Sequence, residues 1–337
     1  MDISRLTIDD SAAVEETWNL LQLNHRTDRP DTPPPSRVVF EAEIAGDHPE
    51  EREERYAARV DGRVVGAGGL GASRHDNHHL AFTYIQVHPE YRRRGIGSAL
   101  LDHVTDRARA EGRTTQTSHT SETLPGGPFR PVDGREFARA KGFDIVHTER
   151  SRKLSLVSIE GKIETELLDD ARPHATDYEV LQWIGPTPEE FIEGVAALES
   201  RLVSDVPLGG LDVEEQEITP ERTRAKDAYE AKIGRVFAST YVRHRPTGDL
   251  VGHAVVAVFP DTPEYGYQWI TLVHPDHRGH RLGTIVKIEN HRLLRRELPS
   301  VRWIITANAE VNTHMVAINE RMGFVEMDRQ LELQRKI

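Results

Sequence analysis

The chain reads as an α+β protein (mixed α/β) built from two tandem copies of one β-α-α-β-β-β-α-β-α-β unit. Three observations predict this. An apolar strand, a His-Pro and arginine-rich turn and an amphipathic helix occur twice, as Val87-His88-Pro89-Glu90-Tyr91-Arg92-Arg93-Arg94-Gly95-Ile96-Gly97-Ser98 and as Val273-His274-Pro275-Asp276-His277-Arg278-Gly279-His280-Arg281-Leu282-Gly283-Thr284. Arg92 and Arg278, Gly97 and Gly283, Gly62 and Gly248, and Gly66 and Gly252 are all 186 residues apart, so the repeat is in register. The length of 337 residues suits two domains of about 150–170 residues each.

In the first copy, alternating apolar residues predict a strand over 3–8. Asp9 or Asp10 can cap a helix over 12–23, whose Val14, Trp18 and Leu21 share one face. After a proline-rich loop (27–36), a second helix covers 38–44. Residues 55–60 and 64–70 form a hairpin on the Asp61-Gly62 turn. A strand over 80–87 feeds the arginine-rich turn, and a helix over 95–110 leaves it. A strand over 114–118, a Gly/Pro-rich loop (124–134), a helix over 135–140 and a strand over 143–156 close the copy.

The second copy repeats the order. It has a strand over 178–184, a helix over 188–201 with proline at its start, a loop over 206–210 and a polar helix over 220–232. The hairpin 235–242 and 250–259 turns at Thr247-Gly248-Asp249. A feeding strand (267–273), a helix (281–295), a strand (301–307), a helix (312–321) and a last strand (324–333) follow. The polar stretch 158–175 shows no clear periodicity, which sets domains at 1–157 and 176–337 with that stretch between them.

Composition narrows the function. Net charge is −12, which argues against a broad nucleic-acid-binding face. Such acidity attracts a cationic substrate, and it equally serves solubility; charge alone does not choose. The longest purely apolar run, 254–259, is far too short for a membrane span. The N-terminal residues lack the basic and apolar regions of a secretory signal, and the absence of cysteine removes disulfides, thiolate nucleophiles and zinc–thiolate sites. A cytoplasmic protein is expected. Oligomeric state stays open.

The repeated turn has the chemistry of a phosphate cradle: backbone N–H groups at a helix start, backed by cations and the positive end of the helix dipole. A dinucleotide fold would place such a turn near the start of a β-α-β unit, with an acidic residue about 20 residues on. Here the turn follows the fourth strand, and the region around 113–118 offers no such carboxylate.

Arg92, Gly95 and Gly97 match the motif of arginine or glutamine, then x-x-G-x-G or x-x-G-x-A, between strand and helix, and the chain thereby resembles the GNAT acetyltransferase superfamily. The second copy keeps Arg278 and Gly283 but carries Arg281 at the middle glycine position. Asn312, Met315, Asn319 and Gly323-Phe324 look like the family's C-terminal signature, and the first copy keeps Gly142-Phe143 of it. Together the matches are similar to tandem GNAT proteins of actinobacterial type. The resemblance implies, in each half, a mostly antiparallel twisted sheet with a central parallel strand pair. It also implies acetyl-coenzyme A as cosubstrate and no metal. The pyrophosphate would lie on Arg92, Arg93, Arg94, Gly95, Ile96, Gly97 and Ser98, or on Arg278, Gly279, His280, Arg281, Leu282, Gly283 and Thr284. The pantetheine would pair near Gln86 and Val87, or Leu272 and Val273.

Direct attack by a small-molecule primary amine on the thioester is the implied reaction. It needs a neutral amine, a donor at the carbonyl oxygen and an acid for the thiolate. Where many relatives carry a tyrosine acid, this chain has Asn319 in the second copy and about Ala138 in the first. Glu264 and Glu122 are candidate bases, each with a solvated-carboxylate reading beside it. Asn308, Asn312 and Asn319 can form a polar wall, and Asn312 equally suits a helix cap. Tyr84 and Trp269 occupy equivalent strand positions within one residue, as pocket lining or as core. His75-Asp76-Asn77-His78-His79 reads as a polar turn and not as a metal site. Two alternatives to the small-molecule acetyltransferase are a non-catalytic acyl-coenzyme A-binding scaffold and a protein-lysine acetyltransferase. Catalysis is left open between the halves, with a lean to the second.

Overall fold

A computed structural model of the chain describes residues 1–158, 161–201, 204 and 207–337. Two units emerge, and the chain does not divide between them at one point. One comprises Met1–Thr148, Gly209–Glu214 and Asp328–Ile337; the other comprises Glu149–Leu208 and Glu215–Met327.

In the first unit, β1 (Asp2–Arg5), β2 (Glu51–Val60), β3 (Arg63–Ser73), β4 (Leu80–Val87) and β5 (Thr115–Thr123) lie side by side in that order. The C-terminal strand β12 (Val325–Lys336) completes the sheet, with Asp328 to Lys336 antiparallel to β5. All pairs are antiparallel except β4 with β5. The turn residues Asp61 and Gly62 both take positive φ, as a two-residue hairpin needs. Strand alternation splits the core into two layers. Ala58, Val65 and Leu331 face Leu100, Leu101 and Val104 of α3 (Ile96–Ala110). Ala57, Val64 and Ala67 face Val14 and Leu20 of α1 (Ser11–Asp28) and Phe40 of α2 (Arg37–Ala45). Asp10 and Ser36 cap these two helices, accepting from the N–H groups of Ala13 and Val39. A short helix α4 (Asp133–Ala140) follows β5.

In the second unit the order is β6 (Asp144–Ser155), β11 (Trp303–Ala309), β10 (Tyr265–Val273), β9 (Leu250–Val258), β8 (Val236–His244) and β7 (Tyr178–Ile184). Here the parallel pair is β10 with β11, and residues 149–155 of β6 pair antiparallel with β11. Val242 and Val256 face Ile285 and Val286 of α8 (Leu282–Glu297). Tyr241 and Val255 face Val195 and Leu198 of α6 (Ile192–Glu199). Helix α7 (Pro220–Lys232) starts on the cap Thr219, and α9 (Thr313–Arg321) follows β11. Each half is thus the expected mixed sheet with a central parallel pair.

The stretch 158–175 departs from its reading as an aperiodic boundary. It contains α5 (Gly161–Ala171), whose Leu167, Leu168 and Ala171 are buried against α8. Its apolar positions do recur at helical spacing, but Glu164 on the same face hides the pattern. Glu164 is buried because Arg295 donates to both its oxygens at 2.8 and 2.9 Å. Ile159 and Glu160 of that stretch, and Val206 of the 206–210 loop, lie outside the described residues. The 188–201 helix begins later than expected: Pro188 precedes a 3₁₀ turn, Glu189–Phe191, instead of opening the α-helix.

β12 is anchored in the first unit by charge as well as by the ladder. Arg130, almost fully buried, donates to Asp328 (2.6 Å) and in bidentate fashion to Asp31 (2.8 Å each). Removing one member of such a set leaves a desolvated charge, so Asp328→Ala is expected to destabilise the first unit by about 3 kcal/mol in chemical denaturation. An unchanged midpoint would show the set to be dispensable.

Candidate functional site

The two arginine-rich turns have one geometry. In each, a histidine after the strand caps a 3₁₀ turn: His88 Nδ1 accepts from Glu90 N–H, and His274 Nδ1 from Asp276 N–H, both at 3.3 Å. In each, the next arginine folds back, Arg92 Nε onto Val87 O (3.2 Å) and Arg278 Nε onto Val273 O (3.3 Å). Two positive-φ residues then turn the chain into the helix. They are Arg93 (62°) and Gly95 (84°) in the first unit, and Gly279 (88°) and Arg281 (56°) in the second. The glycine and the arginine have exchanged places within a common backbone.

Arg281 therefore does not deform the second turn. A Cβ built on Gly95 meets nothing within 4 Å, so glycine at this position serves the left-handed φ and not local space. Arg281 adopts that conformation at a cost of roughly 1 kcal/mol, and its side chain turns to Asp170 at 3.4 Å. Neither α3 nor α8 has a side-chain cap, so the first-turn N–H groups behind Gly95 and Arg281 point outward unsatisfied. Ile96 and Leu282 are buried and fasten the helix starts, offering a ligand only their N–H groups. Gly97 lies 3.5 Å, measured from an added Cβ, from Phe137 and Val87; Gly283 has Ile318 at 3.7 Å. Such uncapped turns fit a pyrophosphate.

The cations differ. The first unit's Arg92 was expected to donate to a phosphate, but it is held by Asp28, with Nη1–Oδ1 at 3.1 Å and Nη2–Oδ2 at 2.5 Å. Arg94 stacks on Tyr91 (5.1 Å), and Arg93 is exposed. In the second unit Arg278 is exposed, and among the described residues no carboxylate lies within ion-pair distance of it.

Behind each turn the central strands part. β4 pairs with β5 only over Leu80, Ala81 and Phe82, and β10 with β11 only over Tyr265, Gly266 and Tyr267. From there to the cradle, Gln86 and Val87, or Leu272 and Val273, keep partners on one side alone, β3 or β9. That free strand edge can pair with an amide-bearing chain.

Beside the slot the units diverge. In the first, Tyr84 lies flat on Gly69, where an added Cβ would sit 1.9 Å from the ring. Arg55 covers the ring at 4.1 Å, and Glu43 and Glu53 surround Arg55. Burial raises the Tyr84 hydroxyl to about 12 and the Glu53 carboxyl to about 8. In the second unit β10 bulges between Gln268 and Ile270, so Trp269 has no partner on β9 and is half exposed. Gln268 Nε2 donates to Val255 O (2.9 Å) and Ile270 O (3.0 Å), satisfying carbonyls at the break. A small open cleft lies there, lined among others by Glu199, Lys226, Asp227, Phe237, Ser239, Tyr241, Trp269 and Ile270. The half-buried Tyr84 packs on Gly69 and Trp269 is cleft wall; by register the counterpart of Tyr84 is Ile270, opposite Val255.

The structure separates the polar candidates. Asn319 is fully buried; its Oδ1 accepts from Lys287 Nζ, and its Nδ2 donates to Asn308 Oδ1 at 2.5 Å on the parted stretch of β11. Asn312 caps α9, accepting from Met315 N–H at 3.3 Å. Glu264 is not with them. It precedes β10 at the paired end, where its carbonyl accepts from Arg302 and Trp303 N–H, so it lies far along the strand from the bulge and the cradle. Glu122 is bound by Arg135 (2.9 Å) and Arg329 (2.7 Å), a structural ion pair. Sequence reasoning missed Asp28, the cleft residues on α6 and α7, and Lys287. Only Lys287 had a signal, a cation inside the apolar run Ile285-Val286-Lys287-Ile288.

A strand-to-helix anion cradle behind two parting parallel strands is a geometry suited to a phosphate-bearing cosubstrate with an amide-bearing tail. Residues 14–123 match the model of the acetyltransferase (GNAT) family. A solved tandem GNAT protein from the clavulanic acid biosynthesis pathway is 31% identical, with a TM-score of 0.83, over 99% of this chain and 98% of that one. The chain belongs to the GNAT family and is an acyltransferase, a class that generally uses acyl-coenzyme A and an acceptor. Two more distant structures share the fold. A GCN5-related N-acetyltransferase from Sphaerobacter thermophilus is 14% identical (TM-score 0.64, 99% and 95% covered), and N-myristoyltransferase of Saccharomyces cerevisiae is 12% identical (TM-score 0.60, 99% and 78% covered). No curated protein sequence matches the chain. Among the described residues, no helix is long and apolar enough to cross a membrane, and no group of three or more metal-ligating side chains occurs.

Burial lowers the Lys287 ammonium to about 7, with Arg152 adding to the effect. Between pH 7 and the ordinary lysine value near 10.5, the unfolded chain binds more protons at this site than the folded one, so stability rises with pH across that window. The gain is at most about 1.4 kcal/mol per pH unit. Thermal melts of the wild type should show it and those of Lys287→Met should not; parallel pH curves would refute it.

Proposed function

We propose that this protein transfers an acetyl group from acetyl-coenzyme A to a primary amine of a small molecule, and that the second unit performs the transfer. The observation that carries this reading is the cleft at the β10 bulge, set against the Tyr84 ring that fills the corresponding place on β4. The cleft gives an acceptor room beside the second slot. The cytoplasm is the expected setting, given the acetyl-coenzyme A requirement.

In this reading the α8 N–H groups and Arg278 hold the pyrophosphate, and the free edge of Leu272 and Val273 holds the pantetheine. Acetyl-coenzyme A supplies an activated acyl carbon. The amine nitrogen bonds to it, the C–S bond breaks, and a proton reaches the sulfur as the amine loses one. The bulge leaves Trp269 without a paired residue on β9, and its N–H is the candidate donor to the carbonyl oxygen. Lys287 and Asn319 position Asn308 on the opposite strand. With no tyrosine acid among them, the Lys287–Asn319–Asn308 chain takes the place of a single donor at the sulfur.

Thiol release from acetyl-coenzyme A with a panel of amines tests the reaction; no release with any amine would defeat it. Gly283→Phe drives a ring into Ile318 and Val273 at the second cradle and should reduce release by at least about a hundredfold. Gly97→Phe at the first cradle should reduce it far less, and the reverse ranking would move catalysis to the first unit. In the Gly283→Phe background, Asp28→Asn frees Arg92 and should tighten coenzyme A binding severalfold by calorimetry. An unaltered affinity would mean that Arg92 takes no part.

A further inference from the structure

The second unit's cleft carries information about its acceptor that the reaction alone does not. Its lining includes Tyr241, whose ring is held from behind by Trp183 at 4.7 Å and 12°, itself stacked on Phe191 at 5.5 Å and 15°. Its wall is Trp269, with Phe237 edge-on at 6.0 Å. Tyr241, Phe237 and Trp269 give the cleft its aromatic lining, beside Val255 and Ile270.

The charges at the rim do not cancel. Glu199 and Lys226 pair at 3.4 Å and neutralise one another. Arg235, 5.8 Å from the Trp269 ring, is neutralised by Glu230 at 2.8 Å. Asp227 is left over. Its Oδ2 accepts the Thr187 N–H at 2.8 Å, which fixes the carboxylate, and among the described residues no donor reaches Oδ1. The cleft thus presents one fixed, uncompensated negative charge between aromatic surfaces. A single cation would complete it, and a ligand carboxylate would meet Asp227 while its natural partner Lys226 is already taken.

Resting on the proposed reaction, we infer that this cleft selects a monocationic amine with a flat aromatic body and no carboxylate, an aralkylamine, with Asp227 as the residue that sets the preference. The rings take the body and the carboxylate takes the ammonium before it loses its proton.

The test compares 2-phenylethylamine, phenylalanine and n-butylamine in two measurements. The first is thiol release with acetyl-coenzyme A, and the second is equilibrium titration followed by tryptophan fluorescence without it. Phenylethylamine should have the highest kcat/KM, with phenylalanine lower by about tenfold or more. Asp227→Asn keeps an acceptor for Thr187 and should raise the KM and the dissociation constant of phenylethylamine about tenfold. Lys226→Met frees Glu199 and should tighten phenylethylamine binding. Phenylalanine equal to or better than phenylethylamine, or Asp227→Asn binding phenylethylamine as the wild type does, overturns the inference. Titration that follows the expected order without any thiol release would sink the proposed reaction and leave this site standing.

Discussion

Everything in the candidate site depends on where two parallel strands stop pairing. Three residues of β4 meet β5, three residues of β10 meet β11, and then the strands diverge. A parallel pair that continued would satisfy the backbone of Gln86 and Val87 or Leu272 and Val273 and leave no slot. Because it ends, each half has an open strand edge leading to a helix start whose N–H groups are also unsatisfied. Two sets of unmet hydrogen-bonding groups therefore lie in line, one suited to an amide-bearing tail and one to phosphates.

On this shared frame the two halves have drifted in different directions. The cradle backbone is retained with its glycine and arginine interchanged, showing that two left-handed residues, and not a fixed glycine position, are what the turn demands. The cations have been reassigned: Arg92 to Asp28, Arg281 to Asp170, with Arg278 left exposed. Beside the slot, Gly69 permits Tyr84 to lie flat, whereas Val255 at the corresponding place in the second unit goes with a bulge that throws Trp269 outward. One residue inserted into a ladder separates a strand face covered by its own tyrosine from one that opens onto a cleft.

Much of this was legible in the sequence. The 186-residue register, the Asp61-Gly62 hairpin and the strand over 80–87 rest on local signals, and local geometry follows them. The strand, turn and helix start of each cradle were legible for the same reason. What was not legible depends on distant partners. Asp28 meets Arg92 across 64 positions, and Glu199, Lys226 and Asp227 converge with Trp269 only once the sheet is built. Glu264 looked close to the chemistry because it is near the feeding strand in sequence, but it sits at that strand's far end. Helix α5 escaped because Glu164 interrupts its apolar face, and Arg295, 131 positions away, makes that burial tolerable.

The path of the chain through the two units has a consequence for how the protein is made. Residues 149–155 border the second sheet, and 328–336 border the first. During vectorial synthesis the first half emerges with five strands of its own sheet and must wait, its β5 edge bare, until residues 328–336 leave the ribosome. An exposed edge of that kind invites pairing with any other chain, so the interval before that strand arrives is when a chaperone matters most. The same path ties the halves together: after duplication, neither half can be discarded without unfinishing the other.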